Sequence, residues 1–186
     1  MTIFDVRGGV PFTNRTVLFD TNVWIAIEGM DPSSTRTSGY GDFYAELRKS
    51  DNVLIVNDYV LGEFHNRCCR IEYSMRKEAS GDDGFPSFKR YRVSSDFRDF
   101  MQSMNEVCRG IASDARYEGV SSDQLVIADV IDEACHGKMD WSDIVLREHC
   151  RKAGHVLVTD DYDFLDCGLD LVTGNKRLLR ANSTSA

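Results

Sequence analysis

The chain has 186 residues, of which 42% are hydrophobic and 28% are charged, and its formal net charge is −8 at pH 7. This balance is typical of a water-soluble single domain, and no apolar run approaches the roughly 20 residues that a membrane-spanning helix needs. The acidity argues against a broad basic surface for nucleic acid. We therefore expect one domain over residues 1–186 outside any membrane, and the lack of a signal-peptide pattern predicts a cytoplasmic location.

The six cysteines do not form the close pairs that zinc sites and redox motifs use. Two of them are adjacent, at positions 68 and 69, and the other four are scattered through segments with the pattern of helices or core. We expect reduced, mostly buried thiols.

A strand–helix unit is predicted at the start of the chain. Residues 16–20, TVLFD, are apolar and β-branched, and they lead directly into the helical stretch NVWIAIEG. A loop is predicted over residues 30–39, and aromatic and leucine residues at helical spacing predict a helix over residues 40–49.

A second strand–helix unit follows. VLIV at residues 53–56 is predicted as a buried strand, and Asn57 or Asp58 is expected to cap a helix that continues towards Ala79. Residues 80–92, SGDDGFPSFKRYR, contain glycines and a proline and predict a surface loop.

Three helices are predicted in the second half of the chain. The first begins at Ser95 and is long and amphipathic, because apolar residues recur at spacings of three and four up to Ile111. The second begins at Ser121 or Ser122, and its apolar residues are expected to face inward: Leu125, Ala128, Ile131 and Cys135.

The third helix places Trp141, Ile144 and Val145 on one face and ends at Gly154. HVLVT then predicts a buried strand, and DLVT at residues 170–173 predicts a last short strand.

Nearly apolar strands thus alternate with helices along the chain. This pattern predicts a three-layer α/β/α fold around a central, mainly parallel sheet of four or five strands, covered on both faces. Ligands of such sheets bind outside the carboxyl ends of the strands. The rule selects Asp20 and the TDD sequence at residues 159–161, because each follows a predicted strand.

Four acids lie at predicted strand ends or early in the neighbouring helices: Asp20, Glu63, Asp143 and Asp161. In a doubly wound sheet these positions can converge on one edge. Mg²⁺ and Mn²⁺ favour oxygen ligands and need only a few carboxylates, so an all-acid site fits them. Such an ion would provide an activated water for phosphodiester hydrolysis and neutralise the charge that develops on the phosphate.

Each acid also has a structural explanation. Asp20 can cap the helix that follows it, Glu63 can be an exposed helix charge, and Asp143 can interact with a helix dipole. Asp161 can be an ordinary turn residue. Their joint occurrence, in order, favours the metal site.

The segments VLFDTNVWI, VLGEF and SDIVLREHCRKAGHVLVTDDYDF resemble the PIN-domain nucleases, with matches in the same order from Val17 to Phe164. The family pattern is an apolar strand ending in D-x-N/S, a later helical Glu, an Asp that starts a helix, and L-V-T-x-D-x-D-F. The resemblance implies a PIN-like α/β/α nuclease that uses Mg²⁺ or Mn²⁺, with catalytic and metal-binding acids at Asp20, Glu63, Asp143 and Asp161. Supporting polar residues are expected around them, namely Asn22, Thr159, Asp163 and Asp140.

Many proteins of this plan are VapC-type toxin ribonucleases of toxin–antitoxin pairs. The resemblance therefore implies an endoribonuclease that acts on RNA, an antitoxin protein as partner, and a homodimer. The chain is longer than a minimal toxin at about residues 75–119, where we expect an elaboration of helices and loops.

Three other functions stay open. The chain can cleave structured DNA, act in RNA processing or quality control, or use a PIN fold only as a binding module. A haloacid-dehalogenase phosphatase is disfavoured, because Asn22 stands where that family needs a second Asp.

Cationic side chains form two groups near the predicted site. One surrounds Phe88 and Tyr91 in the predicted loop, where the rings can stack on bases, and the other lies on the helices that carry Glu63 and Asp143. A solvated surface explains the same residues equally well. The predicted nucleic-acid contacts are Arg67, Arg70, Lys89, Arg90, Arg92, Arg147 and Arg151.

Overall fold

The structure is a computed structural model, and it describes residues 1–30, 39–121 and 125–184, with side chains up to residue 181. Most of the loop predicted over residues 30–39 lies outside this part of the chain, as do residues 122–124, where a helix was predicted to begin. Among the residues described, no helix is both long enough and apolar enough to cross a membrane.

The centre of the fold is a parallel sheet with the strand order β1-β6-β5-β2-β3-β4. The predicted parallel α/β architecture is confirmed, with six strands in the described ranges against the four or five predicted. The strands are β1 (Ile3–Asp5), β2 (Thr16–Phe19), β3 (Val53–Val56), β4 (Arg116–Tyr117), β5 (Val156–Val158) and β6 (Leu171–Thr173).

Strand β2 lies in the middle of the sheet. Leu18 pairs with Ile55 of β3 on one side and with Leu157 of β5 on the other. Successive strand residues point to opposite faces, and Val17, Leu18 and Phe19 are all fully buried. Both faces of the sheet are therefore covered, as the near-continuous apolar strands predicted.

Helices flank the sheet and connect its parallel strands. Asn57 caps α3 by accepting a hydrogen bond from the Val60 backbone N–H at 2.9 Å, and Gly154 ends α7 with a left-handed φ of +73°. The helices are α1 (Thr21–Ile27), α2 (Tyr40–Leu47), α3 (Asp58–Ser80), α4 (Phe88–Tyr91), α5 (Ser95–Asp114), α6 (Ile127–Ala134), α7 (Trp141–Ala153) and α8 (Lys176–Thr184).

The segment after α3 differs from its prediction as a surface loop. Residues 80–92 include the short helix α4, whose Tyr91 is 7% exposed. Tyr91 packs with Cys69 of α3 and Phe97 of α5 in a second, smaller apolar cluster. The glycines and the proline hid this turn of helix, because they dominate the local pattern.

The prediction for α6 was wrong in both its start and its inward face. The helix begins at Ile127, and Val130 is its buried residue, whereas Ile131 is 51% exposed and Ala128 and Cys135 are also exposed. Apolar residues occupy two sides of this short helix, and only one side packs against α7. Trp141, predicted to share the face of buried Ile144 and Val145, is likewise 42% exposed.

Candidate metal centre

Asp20 follows β2 at the carboxyl edge of the sheet and is 5% exposed. It occupies the N-cap position of α1, but its side chain makes no capping hydrogen bond. Instead, Oδ2 accepts hydrogen bonds from Asn22 Nδ2 at 2.6 Å and from Thr159 Oγ1 at 2.7 Å. The carboxylate is therefore held towards the end of β5, and the simple capping explanation does not account for it.

Asn22 and Thr159 join the ends of β2 and β5. Asn22 Oδ1 accepts a hydrogen bond from the Asp160 backbone N–H at 3.0 Å, and Thr159 Oγ1 accepts one from the Asp161 backbone N–H at 3.0 Å. Thr159 thus donates to one acid and fixes the backbone of another. The two predicted supporting residues have the contacts that such a role requires.

Glu63 lies in the second turn of α3, facing the start of α1. Its Oε2 accepts a hydrogen bond from Thr21 Oγ1 at 3.3 Å, and its Oε1 accepts one from Arg67 Nη1 at 3.3 Å. The half-buried position, rather than a fully exposed one, separates Glu63 from an ordinary surface charge.

Asp143, in the first turn of α7, completes the cluster together with the residues after β5. One carboxylate oxygen from each of Asp143, Asp161 and Asp163 lies within 4.8 Å of the others. Asp161 Oδ1 also accepts a hydrogen bond from the Asp163 backbone N–H at 3.0 Å. Exposed Asp140 stands at the N-cap position of α7.

The four predicted acids are close enough to influence one another's ionisation. Burial, followed by the charges of Asp20, Asp161 and Glu63, raises the pKa of Asp143 to about 7. Burial also raises the pKa of Asp20 to about 6, with smaller contributions from Glu63 and Asp161. Mutual repulsion of this kind is relieved when a cation binds.

The donor set fits a hard divalent cation. Carboxylate oxygens are the preferred ligands of Mg²⁺ and Mn²⁺, and a few of them are enough, since these ions keep several waters. The pKa values of Asp20 and Asp143 are raised first by burial and then by neighbouring carboxylates, and a cation at the cluster would favour the ionised form of both.

The cations predicted on α3 and α7 are largely engaged with carboxylates. Arg67 donates to Glu63. Arg147 donates to Glu133 at 2.6 Å and to Glu148, and Arg151 donates to the same Glu148. These ion pairs reduce the capacity of Arg147 and Arg151 to bind a phosphate.

Two of the remaining predicted cations, one from each group, pack against the same aromatic ring. Arg70 and Arg92 lie over Phe88, with Cζ at 4.9 and 5.6 Å from the ring centroid, whereas Lys89 and Arg90 are exposed in α4. Phe88 and Tyr91 also contact other rings of the same cluster. Stacking of a base on buried Tyr91 was therefore a wrong prediction.

Tyr40 and Asp160 support the site but escaped the sequence analysis. Tyr40 Oη donates to Asp160 Oδ1 at 2.8 Å and accepts a hydrogen bond from the Gly174 backbone N–H at 2.7 Å. Both side chains are buried. The only signal for Asp160 is its place inside TDD, and a partner 120 residues away leaves no local pattern.

No protein-family model and no curated protein sequence matches the chain. Among solved structures, it is similar to VapBC2 from Rickettsia felis, described as bound to a DNA fragment from their promoter. The TM-score is 0.52 at 14% identity, and 85% of this chain and 98% of that chain are covered. It is also similar to PAE2754 from Pyrobaculum aerophilum, with a TM-score of 0.47 at 14% identity and coverage of 91% and 90%.

The parallel sheet and the likeness to VapBC2 define a PIN-domain fold of the VapC-like type. The resemblance predicted from the sequence is thereby confirmed at the level of the fold.

Proposed function

We propose that the protein is a divalent-metal-dependent endoribonuclease. The observation that supports this most is the cluster of Asp143, Asp161 and Asp163, to which Asp20 is linked through the hydroxyl of Thr159. This edge is where parallel α/β sheets bind their ligands. The reaction class is hydrolysis of an RNA phosphodiester bond.

Asp20, Glu63, Asp143 and Asp161 would hold Mg²⁺ or Mn²⁺. When bound, the ion would supply an activated water and neutralise charge on the phosphate. Thr159 and Asn22 keep the Asp20 carboxylate in place, and Thr21 and Arg67 hold the two oxygens of Glu63. Asp163 adds an exposed acid beside Asp143 and Asp161, and Asp140 adds a charge at the start of α7.

The remaining details are proposed by analogy with the VapC-like fold, which is a weaker argument than the site itself. The solved relative is a VapBC2 complex. We infer an antitoxin protein as partner, a homodimer, a cytoplasmic location, and one nuclease domain elaborated at about residues 75–119. The end of α3, together with α4 and α5, forms most of that segment.

The test compares the wild-type protein with Asp20→Asn and Asp143→Asn on single-stranded RNA, in magnesium or manganese and in EDTA. Asp99→Asn, an exposed acid on α5, is the matched control. We expect the wild type and the control to cleave RNA only with metal. The two site variants should lose about 100-fold or more, because each removes a charged ligand. Equal cleavage by all four proteins would remove the proposed site.

A further inference from the structure

A cation outside the predicted set contacts the segment that carries Asp161 and Asp163. The guanidinium of Arg177 lies over the ring of Tyr162, with Cζ at 4.0 Å from the ring centroid. Tyr162 begins a short 3-10 turn, Tyr162–Phe164, which directly follows Asp161 and contains Asp163. Both of these acids belong to the cluster. Arg177 is therefore a near neighbour of the proposed metal centre.

The backbone N–H of Arg177 is hydrogen-bonded to Asn175, which also binds the loop after β5. Asn175 Nδ2 donates to the Asp160 carbonyl oxygen at 2.7 Å, and Asn175 Oδ1 accepts from the Arg177 backbone N–H at 2.9 Å. The first turn of α8 is thus tied to the loop that carries Asp161. The position of Arg177 follows from the same contacts that order the site.

Within the described part of the chain, the Arg177 guanidinium pairs with no carboxylate and contacts the Tyr162 ring instead. A ring takes the flat face of a guanidinium, whereas a carboxylate takes its N–H groups, as happens at Arg147 and Arg151. Two further exposed cations, Lys176 and Arg180, lie on the same helix. In a chain with a net charge of −8, this is a local basic surface next to an acidic site.

We propose that Arg177, stacked on Tyr162, binds a single-stranded segment of the nucleic-acid substrate next to the metal centre. Its N–H groups contact a phosphate, and the outer face of its guanidinium supports an unpaired base. Unpaired bases are the targets of such stacking, which is why the ligand is single-stranded. The identity of the ligand rests on the proposed nuclease function.

The experiment measures binding of a fluorescein-labelled single-stranded RNA oligonucleotide by anisotropy, in EDTA so that no cleavage occurs, over a series of salt concentrations. The variants are Arg177→Ala, Arg177→Lys and the control Arg109→Ala, an exposed cation on α5. We expect Arg177→Ala to weaken binding about fivefold or more and to lower the salt slope by about 1. Arg177→Lys should keep the slope but not the full affinity, because lysine lacks the planar face.

Cleavage kinetics in magnesium provide a second readout. Arg177→Ala should raise KM with kcat nearly unchanged, as expected for lost ground-state binding. If Arg177→Ala behaves like Arg109→Ala in affinity, slope and KM, the binding surface is wrong even where metal-dependent cleavage is intact. If Arg177→Ala weakens binding but no protein cleaves RNA, the surface stands and the nuclease proposal fails. If the wild type neither binds RNA in EDTA nor shows saturable cleavage in magnesium, the surface is overturned.

Discussion

The ionised side chain of Asp143 lowers the stability of the metal-free protein, although the same side chain is proposed to bind the metal. It lies half-buried among other carboxylates, and burial followed by their charges raises its pKa to about 7. An aspartate evolved only for helix stability at the start of α7 gains nothing from such neighbours. Its ionised form is thus a cost to the metal-free protein, and the cost follows a definite dependence on pH.

Replacement of Asp143 by Asn is predicted to stabilise the metal-free protein, and increasingly so as pH rises. A carboxyl with a folded pKa above its unfolded pKa binds more protons when folded, so its contribution to stability falls as pH rises from about 4 to about 7. Asn does not titrate. The free energy of unfolding of Asp143→Asn, minus that of the wild type, should therefore grow by roughly 1–2 kcal/mol over this window, after screening by solvent.

Urea unfolding of both proteins in EDTA, at several pH values, checks this prediction. Asp99→Asn on α5 is the control and should show no such growth. A constant difference between Asp143→Asn and the wild type from pH 4 to pH 8 would show that folding does not raise the pKa of Asp143.

At the scale of elements, the sequence pattern predicted the strands whose residues are mostly buried and missed those whose residues are mostly half-buried or exposed. β2, β3 and β5 lie inside the sheet, so their residues are nearly all apolar and their ends could be predicted. The strands β1 and β4 lie at the two edges and are only partly buried or exposed, so they lack the nearly continuous apolar run of the inner strands.

The same contrast holds for the candidate site. Asp20 and Asp161 follow well-predicted strands, and Glu63 and Asp143 were placed by family resemblance on helices that the structure confirms. The contacts of Asn175, Tyr40 and Arg177 with the loop after β5 depend on how α2 and α8 dock. Docking is a property of tertiary packing, so no local pattern could have revealed these residues.

The docking of α2 yields a prediction for Tyr40. Tyr40→Phe keeps the ring in the core but removes the hydroxyl that donates to Asp160 and accepts from the Gly174 N–H. Two buried polar groups then lose a partner, so we expect a loss of about 1–3 kcal/mol in the free energy of unfolding. Urea unfolding measures it, with Tyr117→Phe, at a side chain that is 61% exposed, as the control. Equal free energies of unfolding for Tyr40→Phe and Tyr117→Phe would show that the hydrogen bonds of Tyr40 with Asp160 and Gly174 do not stabilise the fold.

At the scale of the whole molecule, two buried groups of ionisable residues respond to pH in opposite directions. The acidic cluster loses stability as pH rises towards 7. His149 and His155 have pKa values lowered by burial, so their contribution is present above the unfolded pKa of about 6.5 and is lost as pH falls. His155 is held by Thr16 and Glu118, with its Nε2 at 3.0 Å from Glu118 Oε1.

A divalent ion is predicted to change the pH dependence that comes from the acidic cluster and to leave the one that comes from the two histidines unchanged. Mg²⁺ or Mn²⁺ compensates the clustered acids and competes with protons for them, so the stabilisation by metal should increase as pH rises from about 5 to about 7.5. Melting temperatures with and without magnesium, recorded at each pH, measure this difference. The Asp20→Asn variant should show a much smaller difference at every pH. A wild-type melting temperature unchanged by either ion throughout the range would argue for a PIN fold without a metal function.

Because β2 pairs with β5, the acidic site cannot assemble during synthesis before β5 has been made. The Asp20 carboxylate accepts its hydrogen bond from Thr159, 139 residues later, only when β5 has joined the sheet. A nascent chain that has not yet supplied β5 carries the first acids without the last, so it holds no assembled centre. The proposed hydrolysis therefore cannot begin before β5 has paired with β2.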